Sequence, residues 1–181
     1  MKRHIVLIGL PGSGKTTVGK LVAEQLQAPF VDIDAVIARK EGKPILMIFA
    51  ESGENAFRVM EQREVGMALD HDPAIIAPGG GWASQPGSMD TVRGRAFVVY
   101  LKARAETASK RAEPEGNRPT LLGEDPLGRM RTLLHDREGA YKLADATVET
   151  DRQTVDQVVA ELVRLARMQA GWSSGRNSKL N

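Results

Sequence analysis

The chain has 181 residues, a mass of 19.7 kDa and 41% hydrophobic residues, enough for one substantial core but leaving little room for a second domain. It contains no cysteine, which excludes disulfides and thiolate metal sites and suits a reducing cytoplasm. The formal net charge of +2 is small and the basic residues are scattered, so we expect no nucleic-acid partner.

Apolar runs are short throughout the sequence. The run that follows Met1 is too brief for the core of a signal peptide. No later run approaches the roughly 20 residues that a membrane helix needs. We therefore expect a cytoplasmic protein that binds no membrane and, as the simplest state, a monomer.

These apolar runs alternate with segments of helical periodicity, the pattern of βα units around a parallel sheet. Strands of such a sheet are buried on both faces, so run length and flanking glycine or proline locate them better than two-residue alternation. The predicted strands are residues 4–8, 30–33, 74–77, 96–101 and 146–149. The predicted helices are residues 15–26, 34–41, 44–50, 52–69, 103–112, 126–143 and 154–168. This order predicts a single α/β domain over residues 1–169.

Two segments lack periodicity. Residues 113–123 are polar and contain proline and glycine, which predicts a mobile loop. Residues 170–181 are predicted to be a flexible C-terminal tail, with Trp172 able to pack back on the body.

The segment GLPGSGKTT, residues 9–17, carries the first chemical signature. Gly9, Gly14, Lys15 and Thr16 fit the P-loop pattern G-x-x-x-x-G-K-[ST], between a predicted strand and a predicted helix as this motif requires. Glycines let successive backbone N–H groups turn toward phosphate oxygens, and the positive end of the helix adds to the attraction. Lys15 would reach the β and γ phosphates, and the Thr16 hydroxyl would bind Mg²⁺. The predicted nucleotide-binding residues are Gly12, Ser13, Gly14, Lys15, Thr16 and Thr17.

Two carboxylates follow at the end of the second predicted strand, in the sequence FVDID. Open α/β sheets bind ligands at the carboxyl ends of their strands, and alternation points Asp32 and Asp34 to the same side. One would hold Mg²⁺ through water while the other accepts the proton of an acceptor hydroxyl, as phosphoryl transfer requires. Alternatively, Asp34 simply caps the next helix. The sequence lacks a guanine-reading N-K-x-D segment, so we expect ATP rather than GTP.

The P-loop and the paired aspartates, together with four further motifs, resemble shikimate kinase. The further motifs are IFAESGENAFR at 48–58 with Glu61, the glycines 79–81, RPTL at 118–121, and Arg137 with Tyr141. The resemblance runs from about residue 5 to residue 151. It implies a P-loop fold of the nucleoside monophosphate kinase type, with three α/β/α layers around a five-stranded parallel sheet. It also implies transfer of the ATP γ-phosphoryl group, with Mg²⁺, to the 3-hydroxyl of shikimate, a step in aromatic amino acid synthesis.

The resemblance further implies a role for individual residues. Asp34 would bind the acceptor hydroxyls and act as the base, with Asp32 in the outer shell of the metal. Arg118 would swing in on a lid at about 112–124 to neutralise the transferring phosphoryl group, and Arg111 would lie near the adenine. The implied catalytic residues are Lys15, Asp34 and Arg118. The implied shikimate-binding residues are Asp34, Arg58, Gly79, Gly80, Gly81 and Arg137, with the two arginines taking the carboxylate because a guanidinium can engage it through two parallel hydrogen bonds.

Each arginine also has a local explanation. Arg118 would be a solvated loop residue, Arg58 an exposed ion pair with Glu54, and Arg137 a surface pair with a neighbouring acid. Phe49 and Phe57 would pack beside the acceptor ring or belong to the core.

Trp82, directly after the triple glycine, departs from the family pattern, as does Pro78 more mildly. A bulky indole there would narrow the acceptor pocket, reshape it for another acid, or pack outward with its N–H bonded. Two alternatives therefore remain: a related kinase acting on another hydroxy acid such as gluconate, and a regulatory module that binds ATP and an acid without turnover.

Overall fold

The computed structural model describes residues 1–112 and 125–173. In these residues, five parallel strands form one sheet in the order β2-β3-β1-β4-β5. The strands are β1 His4–Ile8, β2 Phe30–Asp32, β3 Ile75–Ala77, β4 Ala96–Lys102 and β5 Ala146–Glu149. Ile5 of β1 pairs with Ile75 on one side and Phe97 on the other, which sets the register of the centre. The predicted α/β class and five-stranded parallel sheet are confirmed.

Helices cover both faces of this sheet. They are α1 Lys15–Leu26, α2 Ile33–Glu41, α3 Ile45–Leu69, α4 Ser88–Val92, α5 Ala105–Ala112, α6 Pro126–Tyr141 and α7 Val155–Gln169. A short 3₁₀ turn, Trp82–Ser84, precedes α4. No helix in residues 1–112 or 125–173 is both long and apolar enough to span a bilayer.

Side chains of β1 alternate between two apolar cores, one on each face of the sheet. Ile5 and Leu7 belong to the core that α1 and α7 close. Val6 and Ile8 belong to the core that α2, α3 and α6 close. Trp172 completes the first core: it is 1% exposed, and its indole N–H donates to the Arg3 carbonyl at 2.9 Å.

Several element boundaries differ from the predictions. Strand β2 ends one residue early because Asp32 is the N-cap of α2, its Oδ1 accepting the Ala35 N–H at 3.1 Å. The alternative that Asp34 caps this helix is therefore wrong. The helices predicted at 44–50 and 52–69 are the two arms of α3, which is interrupted by the non-helical backbone of Gly53 (φ 80°, ψ 169°), two residues after the predicted break. Helix α5 begins at Ala105, two residues late. Helix α4, only five residues long, was not predicted because it is too short to show periodicity.

Candidate active site

Three polar segments meet at one edge of the sheet. The P-loop follows β1, the paired aspartates end β2, and the triple glycine follows β3. These strands are neighbours in the order β2-β3-β1, and their carboxyl ends point the same way. The sheet therefore brings together the phosphate-binding and acceptor-binding segments that the sequence predicts.

The P-loop has the backbone that its motif requires. Gly12 has φ 78°, and a Cβ built on it would lie 2.2 Å from the Ala108 carbonyl oxygen of α5. Any side chain would thus collide with a helix backbone as well as strain the turn. Gly14, with φ 95°, is the N-cap of α1, so the loop delivers its N–H groups to a helix N-terminus.

Side chains of the P-loop face inward. The Lys15 ammonium donates to the carbonyl oxygens of Gly9 and Leu10, both at 2.9 Å, and its side chain is buried. The Ser13 hydroxyl is buried and has no hydrogen-bond partner within the described residues. A buried hydroxyl and an ammonium in a glycine loop are groups that phosphate oxygens can satisfy.

Thr16 and Asp32 form a pair beside the loop. The Thr16 hydroxyl donates to Asp32 Oδ2 at 2.9 Å, while Oδ1 of the same carboxylate caps α2. The cap therefore fixes the orientation of Asp32. A hydroxyl and a carboxylate are hard oxygen ligands, and Mg²⁺ in nucleotide sites uses one or two of these plus phosphates and water. The pair fits that cation.

Asp34, Glu61 and Gly79 lie together on the acceptor side. Glu61 Oε1 accepts the Gly79 N–H at 2.9 Å, and a Cβ on Gly79 would lie 2.4 Å from that oxygen and 3.1 Å from Asp34 Oδ1. Glu61 is fully buried, and burial raises the pKa of its carboxyl despite the opposing charge of Arg58. Sequence reasoning gave Glu61 no role, although its position three residues after Arg58 placed both on one face of the helix.

Arg58 lies across the triple glycine. Its Nη1 donates to Glu61 Oε2 at 2.8 Å, and its Nη2 and Nε donate to Glu54 Oε1 at 2.9 and 3.3 Å. The pair with Glu54 exists as the local explanation expected, but Arg58 is only 9% exposed and its guanidinium faces Gly81. Burial would lower the pKa of Arg58, yet the two glutamates hold it above its ordinary value. The exposed helix pair is therefore the wrong description of this arginine.

Helix α6 contributes Arg137 and Tyr141. Arg137 is 8% exposed, so it is not the solvated surface residue of the local explanation. Tyr141 is fully buried, and its hydroxyl donates to the Gly80 carbonyl. On its other side Gly80 abuts the P-loop, since a Cβ on it would lie 2.7 Å from Pro11 Cδ.

The aromatic residues near the triple glycine belong to the core. Trp82 is fully buried with residues of α3, α4 and α6, and its indole N–H has no partner in the described part of the chain. The alternative that it packs outward with a bonded N–H is thus wrong. Phe57 is buried, and partly buried Phe49 packs on it with ring centroids 4.7 Å apart.

Two further arginines were predicted in the site, Arg111 near the adenine and Arg118 on the lid. Arg111, at the end of α5, donates through Nη1 to the Thr150 hydroxyl at 3.2 Å and through Nη2 to the Thr150 carbonyl at 3.3 Å. These bonds hold Arg111 beside the turn after β5. Arg118 and residues 113–124 of the predicted lid lie outside the described residues.

Comparisons with known proteins identify the family of this chain. The family model described as shikimate kinase matches residues 11–167. The shikimate kinase of Symbiobacterium thermophilum is 42% identical over 163 residues, covering 88% of this chain and 94% of the relative. That of Chlorobium chlorochromatii is 41% identical over 168 residues, covering 88% of each.

Solved structures agree. The shikimate kinase from Acinetobacter baumannii in complex with shikimate has a TM-score of 0.87 at 34% identity, covering 91% of this chain and 93% of that one. A gluconokinase from Sinorhizobium meliloti has a TM-score of 0.64 at 20% identity, covering 94% of each, which shows a shared fold alone. These likenesses confirm the predicted fold of the nucleoside monophosphate kinase type.

Proposed function

The chain belongs to the shikimate kinase family, and we propose on this basis that it transfers the γ-phosphoryl group of ATP to the 3-hydroxyl of shikimate. The products are shikimate 3-phosphate and ADP, in the synthesis of chorismate and aromatic amino acids. The observation that carries the proposal is the meeting of the P-loop with Asp34 and Arg58 around the triple glycine at one sheet edge.

On the nucleotide side, the P-loop N–H groups and the Lys15 ammonium cradle the phosphates. Lys15 exchanges its bonds to the Gly9 and Leu10 carbonyls for bonds to phosphate oxygens. Thr16 and Asp32 would hold Mg²⁺, which neutralises charge on the β and γ phosphates when bound. Gly12, Ser13 and Thr17 complete the cradle, and Arg111 lies near the adenine.

On the acceptor side, Asp34 orients the 3-hydroxyl and accepts its proton as the oxygen attacks phosphorus. Arg58 and Arg137 take the carboxylate of the acid, and Gly79, Gly80 and Gly81 let the backbone approach the ring. Arg118 neutralises charge on the phosphoryl group during transfer. Catalysis then rests on positioning and electrostatics rather than on a covalent intermediate.

Neither alternative is favoured. The curated relatives at 34–42% identity are shikimate kinases, whereas the gluconokinase shares 20% identity and the fold alone. A binding module without turnover would have no use for an acceptor-side carboxylate next to a complete P-loop. The cytoplasmic location, the monomeric state and the lack of a nucleic-acid partner stay predictions.

The direct test is ADP release from purified protein with Mg²⁺ and ATP, coupled to NADH absorbance, with shikimate, gluconate or no acceptor. We expect rapid release with shikimate alone. Equal release with gluconate, or none with either acid from protein that binds ATP, would overturn the proposal.

Two variants test the assigned roles in the same assay. We expect Lys15→Ala and Asp34→Asn each to reduce kcat by about 10² or more while the fold survives, since each removes a group that acts on the reacting atoms. The exposed loop residue Asp72 supplies the matched control, and Asp72→Asn should keep wild-type kcat. An Asp34→Asn enzyme with wild-type kcat would remove Asp34 from the role of base.

A further inference from the structure

Tyr141 links the end of α6 to the triple glycine, 61 residues earlier in the chain. Its side chain is fully buried, and its hydroxyl donates to the carbonyl oxygen of Gly80. Burial raises the pKa of Tyr141 to about 12, although the Arg137 guanidinium opposes this rise. The hydroxyl therefore keeps its proton, and remains a donor, at every pH where the enzyme would be assayed.

The hydrogen bond to the Gly80 carbonyl fixes the orientation of the Gly80–Gly81 peptide. In a planar trans peptide the C=O of one residue and the N–H of the next point in opposite directions. Anchoring the Gly80 oxygen toward α6 therefore turns the Gly81 N–H away from α6. Pro11 also lies close to Gly80, since a Cβ built on Gly80 would be 2.7 Å from Pro11 Cδ, so this glycine meets both the P-loop and the tyrosine.

Arg137 lies one helical turn before Tyr141, so both occupy one face of α6. The positive charge of its guanidinium opposes the rise in the pKa of Tyr141. Tyr141 thus bonds to the glycine peptide and shares a helix face with the arginine that the proposed function assigns to the acid.

We propose that Tyr141 is a positioning residue for the acceptor, acting through the Gly80–Gly81 peptide and Arg137 rather than by contact with the reacting atoms. This inference rests on the proposed function. Through its bond to the Gly80 carbonyl, Tyr141 orients the Gly81 N–H toward the acid before the acid binds, on the helix face that also carries Arg137. It is expected to govern affinity for shikimate and to leave nucleotide binding alone.

Tyr100 of β4 provides a matched control in the same ring pair. The two rings pack with centroids 5.0 Å apart, tilted by 31°. The Tyr100 hydroxyl is also buried but has no hydrogen-bond partner among the residues that the structure describes. Tyr141→Phe and Tyr100→Phe therefore remove the same atom from the same environment, one with a partner and one without.

The experiment measures kcat, the KM for shikimate and the KM for ATP in both variants and in the wild type. We expect Tyr141→Phe to raise the KM for shikimate roughly tenfold, the usual effect of losing one hydrogen bond to a buried group, with the KM for ATP within about twofold of wild type. Tyr100→Phe should leave both KM values unchanged. A Tyr141→Phe enzyme with wild-type KM for shikimate, or with both KM values raised alike, overturns the inference.

Failure of the proposed function is distinguishable, because the wild-type enzyme would then show no turnover with shikimate at all. If Tyr141→Phe does not fold, 3,5-difluorotyrosine at position 141 keeps the shape of the ring but lowers the pKa of the phenol. The KM for shikimate should then rise with pH more steeply than in the wild type, as the hydroxyl loses its proton and can no longer donate. An unchanged pH profile overturns the inference.

Discussion

Replacing Gly81 by alanine would test whether Arg58 is held against the triple glycine. A Cβ at residue 81 would lie 2.5 Å from Nη2, 2.8 Å from Cζ and 3.0 Å from Nη1 of Arg58. Gly81 has φ −92°, which alanine adopts without strain, so the conflict is steric alone. Ordinary contact needs about 3.5 Å, and the guanidinium must therefore retreat by about 1 Å.

Arg58 has little room for that movement. Its side chain is 10% exposed and is tied to the fully buried carboxylate of Glu61 and to Glu54. Separating a buried ion pair completely costs about 3–5 kcal/mol, so a partial displacement should cost about 1–3 kcal/mol of folding free energy. A 1 Å misplacement of a binding group can cost about 10²-fold in catalysis. We therefore expect the KM for shikimate to rise by about 10- to 100-fold and the thermal midpoint to fall by several degrees.

The assay is ADP release against shikimate concentration, with a separate titration of ADP to monitor the P-loop. Gly66→Ala, on the same helix as Arg58, is the control, since a Cβ there meets no atom within 4 Å. That change should stabilise the protein by about 0.5–1 kcal/mol without altering either KM, because alanine is the better helix former. A Gly81→Ala enzyme with wild-type KM for shikimate would refute the placement of Arg58.

Three further outcomes are expected. In the same ADP-release assay, Arg58→Ala should raise the KM for shikimate by about 10-fold or more with little change in the KM for ATP. An unchanged KM for shikimate would mean that Arg58 does not bind the acid. Trp82→Phe should change the free energy of unfolding by no more than about 1 kcal/mol, because removing a buried N–H without a partner in the described residues offsets the loss of packing by the smaller ring. Shikimate should stay the preferred acceptor over gluconate. A gain of gluconate activity would restore a selective role for the indole. Burial lowers the pKa of His4, whose Nδ1 accepts the Ala74 N–H at 3.2 Å, so the unfolded chain binds its proton more readily. The stability from His4 is complete above the unfolded value of about 6.5 and falls as pH drops toward the folded value, by at most about 1.4 kcal/mol per pH unit. Thermal midpoints between pH 7.5 and 5 should thus decline less in His4→Asn than in the wild type, and parallel curves would contradict this.

The sheet and the P-loop were predictable because both depend on short-range pattern. Buried strands appear as apolar runs whatever lies beside them, and Gly9 to Thr16 carries its own spacing rule. The choice between Asp32 and Asp34 as helix cap was not open to sequence reasoning. It depends on where β2 stops pairing with β3, and a helix that began two residues later would be capped by Asp34 instead of Asp32.

The environment of Trp82 could not be predicted from the sequence. An indole after three glycines suggested an altered pocket, because it departs from the family pattern at this position. The turn that carries it packs against α3, α4 and α6, the last of these from the far side of the sequence. Only the folded chain brings these helices together, and the indole of Trp82 is buried among them.

The role of Glu61 could be predicted only in part. Its spacing from Arg58 was visible on the helix, but a fully buried carboxylate is costly unless charge and hydrogen bonds compensate it. The compensation comes from Arg58 and from the Gly79 N–H after another strand. A buried acid bound at once to the arginine and to the glycine turn fixes the acceptor side before any substrate arrives. Its surroundings explain why the turn needs glycine at residue 79, since a Cβ there would lie only 2.4 Å from Glu61 Oε1.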